Sequence, residues 1–118
     1  MVMAKIAAKA KRLRVYIGES DRHQRTALFD AIVKKAKELD LAGASVFRGI
    51  EGFGANSRIH KATIVDLSTD LPVLVEIIDS EEYIAKLLPF LDEVMDEAKG
   101  MITIDDVDII KYGPKPPR

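Results

Sequence analysis

One stretch of the sequence, from Phe47 to His60, combines residue types that bind anions. It holds three of the chain's seven glycines, at positions 49, 52 and 54, together with Arg48 and Arg58. Glycine lets a backbone bend sharply or approach a partner closely, and arginine donates charge-assisted hydrogen bonds to phosphates and carboxylates. Because Arg58 and His60 are two residues apart, their side chains point the same way in an extended segment. The stretch therefore predicts a mobile loop that binds an anion.

Other interpretations of this loop remain open. If the loop has no binding function, it is a bulged hairpin with solvated arginines, and Arg48 pairs with an acid such as Glu76. A lone histidine is weak evidence for general-base catalysis. Gly52 and Gly54 do not belong to a dinucleotide fingerprint, because Ser57 stands at the third glycine position and a strand is predicted to follow. The sequence contains no P-loop motif, which excludes ATP hydrolysis of that type.

A second group of candidate residues is acidic and comprises Asp105, Asp106 and Asp108. Asp106 and Asp108 lie on one strand face, and their oxygens suit a hard cation. A dedicated calcium loop needs more oxygens at ordered spacing, so we expect a solvated edge and no metal site. Glu81 and Glu82 fall in the first turn of a predicted helix, where the helix dipole explains them without catalysis.

Length and composition restrict the class of protein. A chain of 118 residues suffices for one domain with one core. The formal net charge of −1 lacks the basic excess of nucleic-acid-binding domains, so no nucleic-acid partner is expected. The absence of cysteine excludes disulfides and thiolate chemistry and suits a cytoplasmic protein.

Hydrophobic periodicity predicts four main strands and two helices around the loop. The first helix is expected to start near Arg22, behind a capping box formed by Asp21 and Gln24. The second is expected to run from about Glu81 to Gly100, with a kink or a restart at Pro89. The predicted strands cover residues 13–17, 44–50 and 73–78, with a last strand within 101–112 that is centred on 107–110, and a further strand is predicted within 59–67.

This order of elements predicts an α+β fold, a ferredoxin-like double βαβ sandwich with an antiparallel sheet and two helices on one face. The domain is expected over residues 12–112, between a flexible basic leader at 1–11 and a proline-rich disordered tail at 113–118. The strand at 73–78 is apolar on both faces, although the helices cover only one. We therefore expect a homo-oligomer that packs through its sheets.

The sequence also resembles a known family. Gly52-Phe53-Gly54, a long loop and the apolar strand from Leu71 resemble the PII signalling proteins, whose second strand ends in the same three residues before their T-loop. The resemblance is closer to a PII-like family of unknown function, domain-of-unknown-function family 190. It rests on residues 13–18, 48–54, 57–60, 71–73 and 75–77, and it extends from about 13 to 112.

The resemblance implies a trimer that regulates rather than catalyses and that binds ligands in the clefts between subunits. In PII proteins these clefts hold adenine nucleotides, so an adenine nucleotide is the implied effector, with no cofactor required and a membrane transporter or an enzyme as partner. The chain departs from PII proper because its loop lacks a tyrosine suited to uridylylation and residues 101–106 lack a glycine-rich basic segment. The candidate ligand-binding residues are Arg48, Gly49, Gly52, Phe53, Gly54, Ser57, Arg58 and His60.

Two functional hypotheses follow. The first is a regulatory protein that binds a small anionic effector and acts on a partner protein through a mobile loop. The second is a structural or adaptor module that binds a protein directly, without a small ligand. An enzyme is disfavoured, because the sequence does not suggest a nucleophile, a base and an orienting group that act together.

Overall fold

A computed structural model describes residues 8–53, 59–61, 70–95 and 100–114. Four strands of this part form one antiparallel sheet in the order β4-β7-β1-β8, and two short hairpins are formed by β2 with β3 and by β5 with β6. The predicted ferredoxin-like α+β fold is confirmed. The elements are β1 (Ala8–Gly18), β2 (Arg22–His23), β3 (Thr26–Ala27), α1 (Leu28–Glu38), β4 (Ser45–Arg48), β5 (Glu51–Gly52), β6 (His60–Lys61), β7 (Pro72–Asp79), α2 (Glu81–Val94) and β8 (Met101–Ile109).

The core lies between one face of the sheet and the two helices. Side chains of a strand alternate between faces, so every second residue of β1 and β7 reaches this layer. Full burial of such a side chain contributes about 1.5–3 kcal/mol, which makes this layer the main source of stability. The sheet contributes Leu13, Val15, Ile17, Val73, Val75 and Ile77, and the helices contribute Leu28, Ile32, Ala36, Ile84, Leu87 and Leu91.

Helix α2 begins close to its predicted start and ends earlier than expected. The Ser80 hydroxyl caps it by accepting a hydrogen bond from the Tyr83 amide at 3.3 Å, and Glu81 and Glu82 fill the first turn. The helix continues through Pro89 to Val94, so it does not restart at the proline. Residues 96–99, which were predicted to complete it, lie outside the described residues.

The predicted start of α1 is wrong. The helix begins at Leu28, and residues 22–27 form the β2–β3 hairpin, in which Gln24 takes a left-handed conformation at φ 57°. Asp21 does not form the predicted capping box, because its Oδ2 accepts the backbone N–H of Gly18 at 2.8 Å. The carboxylate therefore closes the turn after β1, and the helix starts where its apolar stripe begins.

Strands β1 and β8 extend further than predicted. Residues 8–11, expected in the flexible leader, belong to β1, and β8 begins at Met101 rather than near 107. Charge explains the longer pairing, because the acids of β8 lie opposite bases of β1. Residues 1–7 of the leader and 115–118 of the tail lie outside the described residues. The ion pairs along this ribbon are Lys9–Asp108, Lys11–Asp106 and Arg12–Asp105.

The candidate metal-binding acids are therefore cross-strand partners of lysine and arginine. Arg12 donates from Nη2 to Oδ2 of Asp105 at 2.6 Å and from Nε to Oδ1 at 3.1 Å. These hydrogen bonds lower the pKa of Asp105 below its ordinary value. The pair therefore stabilises the ribbon above the carboxyl's unfolded pKa, and this contribution is lost as the pH falls through the lowered folded value. Both side chains are partly exposed, so the contribution is small.

None of the described helices is long and apolar enough to span a membrane.

Gly100 lies at the end of the connection from α2 to β8, where the backbone passes close to β1. A Cβ atom at this position would lie 2.6 Å from the Tyr16 carbonyl oxygen and 2.7 Å from Cε of Met95. The carbonyl belongs to the central strand pair and cannot move freely. Glycine is thus required here by packing.

We expect Gly100→Ala to lower the free energy of unfolding by about 1–3 kcal/mol, because the added methyl group overpacks this contact. Gly43→Ala is the matched control, since a Cβ at Gly43 meets no atom within 4 Å. Urea unfolding followed by circular dichroism measures both variants. Equal stabilities for the two variants would contradict the packing explanation.

Candidate functional site

The candidate loop leaves the sheet at the end of β4, and its first residues pass directly over Pro72. The Gly49 amide donates to the Pro72 carbonyl at 2.7 Å. A Cβ atom would lie 2.6 Å from Pro72 Cγ at Gly49 and 3.0 Å from it at Gly52. None of the described glycines has a positive φ. These two glycines therefore permit a close approach to Pro72 rather than a left-handed backbone.

The two ends of the loop then pair with each other. In the β5–β6 hairpin, Glu51 lies opposite Lys61 and Gly52 lies opposite His60. We call the described residues 49–53 and 59–61 the arm. Its apolar side chains face solvent, with exposed fractions of 79% for Ile50, 69% for Phe53 and 65% for Ile59. The arm is thus a ribbon fixed at its base by Pro72, with large apolar groups exposed along it.

Arg48 lies where the arm leaves the sheet and forms an ion pair with Glu19. We call this corner of the sheet, with Arg48, Glu19, Asp21, Asp70 and Pro72, the arm base. Its Nη2 donates to Oε1 of Glu19 at 3.2 Å, and its Nε contacts Oε2 of the same carboxylate. The alternative pair with Glu76 does not form, because Glu76 lies opposite Ser45 and its side chain projects from the other face of the sheet. Glu76 instead accepts a hydrogen bond from Arg14 Nε at 3.0 Å.

The turn beside Arg48 is built from carboxylates that accept backbone hydrogen bonds. The Ser20 amide donates to Oδ1 of Asp70 at 2.7 Å, and the Gly18 amide donates to Oδ2 of Asp21 at 2.8 Å. The Glu19 amide donates to the Leu71 carbonyl at 2.8 Å. The described part of the arm base thus carries three carboxylates around one arginine, so its local charge is negative.

The described residues include only part of the predicted site. Arg48, Gly49, Gly52 and Phe53 are together at the arm base, and the backbone of His60 is brought to Gly52. The side chain of His60 lies outside the described residues. The same holds for the whole of three further candidates, Gly54, Ser57 and Arg58.

Glu19, Asp70 and Pro72 also form the arm base, and the sequence interpretation missed all three. The sequence interpretation gave Glu19 no role and assigned Asp21 beside it to a helix cap. The predicted topology nevertheless indicated that these segments meet. The strands at 13–17 and 73–78 are antiparallel neighbours in it, so the end of the first lies beside the start of the second. In the structure Gly18 lies opposite Pro72.

The sheet face that the helices leave uncovered carries a second candidate surface. Register places Leu74 of β7 between Tyr16 of β1 and Phe47 of β4. Tyr16, Phe47 and Met101 are exposed, and Leu74 and Ile78 are half-buried. We call these five residues the outer face. The prediction that the strand at 73–78 is apolar on both sides is confirmed, although only its helix-facing residues are fully covered.

Comparison with known sequences identifies relatives that span nearly the same length. The chain is 39% identical over 102 residues to a UPF0166 protein of Aquifex aeolicus, and this match covers 86% of the chain and 94% of the relative. It is 37% identical over 103 residues to a UPF0166 protein of Methanocaldococcus jannaschii, with 87% and 94% covered.

Comparison with solved structures gives PII-like proteins. The PII-like protein CPII of Thiomonas intermedia, bound to ADP and bicarbonate, has a TM-score of 0.66 at 14% identity, with 92% of this chain and 95% of CPII covered. A PII-like signaling protein of Thermus thermophilus has a TM-score of 0.64 at 17% identity, with 86% and 90% covered. The GlnK–ATP complex of B. subtilis has a TM-score of 0.54 at 9% identity, with 84% and 82% covered.

At these identities the structural comparisons establish the fold, and the family is established by sequence. Residues 10–109 match the family DUF190, described as "Uncharacterized ACR". The resemblance found in the motifs around the arm is confirmed, and the chain belongs to the DUF190 family, whose fold is that of the PII-like proteins.

Proposed function

We propose that this protein is a non-enzymatic, PII-like regulatory protein of the cytoplasm. It binds a small anionic effector, an adenine nucleotide, in clefts between copies of the chain, and it acts on a partner protein through the arm. The observation that carries this proposal is that the same fold binds ADP and bicarbonate in CPII and ATP in GlnK.

The position of Arg48 supports an anion site at the arm base. Its side chain is 61% exposed, and its backbone is fixed because β4 pairs with β7 at this residue. An arginine held in this way presents a planar fork of donors that matches phosphate and carboxylate oxygens. The candidates Arg58 and His60 would approach the same ligand from the returning half of the loop.

The exposed apolar side chains of the arm support action on a partner protein. Ile50, Phe53 and Ile59 lie on a narrow ribbon that offers them little shelter. Burial of such groups at an interface is favourable, and aromatic anchors often contribute most of its affinity. A membrane transporter or an enzyme is the class of partner that the PII-like fold suggests.

The outer face supports assembly into a trimer. Tyr16, Phe47 and Met101 would each remove apolar area from water on contact with another copy, at about 25 cal/mol per Å². The ion pairs Arg12–Asp105 and Arg14–Glu76 on the same face satisfy the charges that this contact would otherwise leave unpaired. Clefts between copies would then form beside the arm base, since β4 is an edge of the sheet.

A second function, an adaptor module that binds a protein without a small ligand, is supported by the charge of the arm base. Glu19 already occupies the Arg48 fork, Asp21 lies in the adjoining turn, and Asp70 accepts a hydrogen bond from that turn. The exposed apolar arm requires no nucleotide in order to contact a partner. A pull-down of the partner that survives both Arg58→Ala and nucleotide depletion would favour the adaptor.

Nucleotide binding is tested by calorimetry with ADP, ATP and AMP. We expect wild-type protein to bind at least one of them, and Arg58→Ala to weaken that binding about 10- to 100-fold, because a charge-assisted hydrogen bond contributes about 1.5–3 kcal/mol. Lys37→Ala, which removes an exposed charge at the far end of α1, is the control and should bind as wild type does. Absence of binding by every adenine and guanine nucleotide to intact trimers would favour the adaptor.

Assembly through the outer face is tested by light scattering. The 13.1-kDa chain should form trimers, and Leu74→Glu should give monomers because it places an unpaired charge in the centre of the outer face. Ala85→Glu adds the same charge on the exposed side of α2 and should remain trimeric. Monomeric wild-type protein, or trimers of Leu74→Glu, would contradict assembly through this face.

A further inference from the structure

The arm base contains a competitor for the anion it is proposed to bind. Resting on the proposed function, we infer that Glu19 is an affinity-determining residue whose carboxylate an anionic effector must displace from Arg48. Displacement breaks the link between the end of β4 and the turn after β1. Anion binding is thereby coupled to a change in how the arm is held.

The geometry of the Arg48–Glu19 pair favours competition with an anion. Arg48 uses Nε and Nη2 on the two oxygens of Glu19, which is the two-point arrangement that arginine also uses for phosphate and carboxylate ligands. Ligand oxygens that take these two donors must replace the Glu19 oxygens. The carboxylate is therefore equivalent to a ligand that belongs to the chain itself.

Glu19 is held in place by its backbone. Its amide donates to the Leu71 carbonyl, and the amide of the next residue, Ser20, donates to Asp70. A competing group fixed at this distance acts at a high effective concentration, since it loses little freedom when it binds. The side chain itself is about one-third exposed, so the displaced carboxylate can move into water.

The exposure of the ion pair sets the size of the effect. A partly exposed ion pair contributes about 0.2–1 kcal/mol, so competition by Glu19 weakens anion binding by a factor of up to about five. The carboxylates of Asp21 and Asp70 are already engaged by backbone amides and do not contact Arg48. Glu19 alone among the described acids forms an ion pair with this arginine.

Calorimetry with ADP and with inorganic pyrophosphate tests this inference. Glu19→Gln removes the charge while retaining the shape, and it should lower the Kd for the probe about two- to fivefold. Glu19→Ala should lower the Kd by a similar factor. The matched control is Glu93→Gln, which removes an exposed carboxylate from α2, outside the arm and its base, and should leave the Kd unchanged.

A purely structural role for Glu19 is distinguished by the dependence on Arg48. In the Arg48→Gln background, Glu19→Gln should give no gain in affinity, because no guanidinium remains for which Glu19 and the anionic probe could compete. Two results would overturn the inference while the proposed function stands. One is a gain in affinity from Glu19→Gln that persists in the Arg48→Gln background. The other is a Glu19→Gln variant that binds the probe as tightly as wild type, or more weakly. If neither wild-type protein nor the Glu19 variants bind either probe, the proposed function falls together with it.

Discussion

The antiparallel pairing of β1 with β7 is the constraint on which the arm base depends. It places Gly18 opposite Pro72, so the turn after β1 and the return of the long loop meet at one corner of the sheet. Pro72 then serves as the surface over which Gly49 and Gly52 pass. Because β4 pairs with β7 immediately beside this corner, Arg48 and Glu19 are brought within contact although they are far apart in sequence.

The large features of this architecture follow from hydrophobic period alone. Alternation in β1 and β7 and the apolar stripes of the helices predict the double βαβ order, and the sheet order agrees with it. Family membership was predictable because glycine and proline motifs such as Gly52-Phe53-Gly54 and Leu71-Pro72 mark places where the backbone itself is constrained.

The errors have a common physical origin, because each concerns a polar side chain with more than one available partner. Asp21 was assigned to a helix cap, but it closes the turn after β1 through the Gly18 amide. Arg48 was considered as a partner of Glu76, but the pleat of the sheet separates them and Glu19 takes its place. The last strand was predicted around 107–110, but its acids pair with opposite bases on β1 in a strand that begins at Met101. Local sequence does not encode these choices, since they depend on which strands become neighbours.

The arm base has two opposed electrostatic properties. Arg48 offers a fork of donors for an anion, and the Glu19 carboxylate keeps that fork occupied. A site of this kind responds to an effector by exchanging one ion pair for another, so a modest binding energy can alter the attachment of the arm without rearranging the core. Under the proposed function, this exchange would act through the apolar arm on a partner protein and through the outer face on a neighbouring copy of the chain.

The most direct test is an experimental structure of the protein crystallised with ADP. The account predicts ADP in a cleft between two copies, with phosphate oxygens on the Arg48 guanidinium and with the Glu19 carboxylate displaced from it. ADP bound away from the arm base, or ADP bound there while Arg48 remains paired with Glu19, would contradict the account.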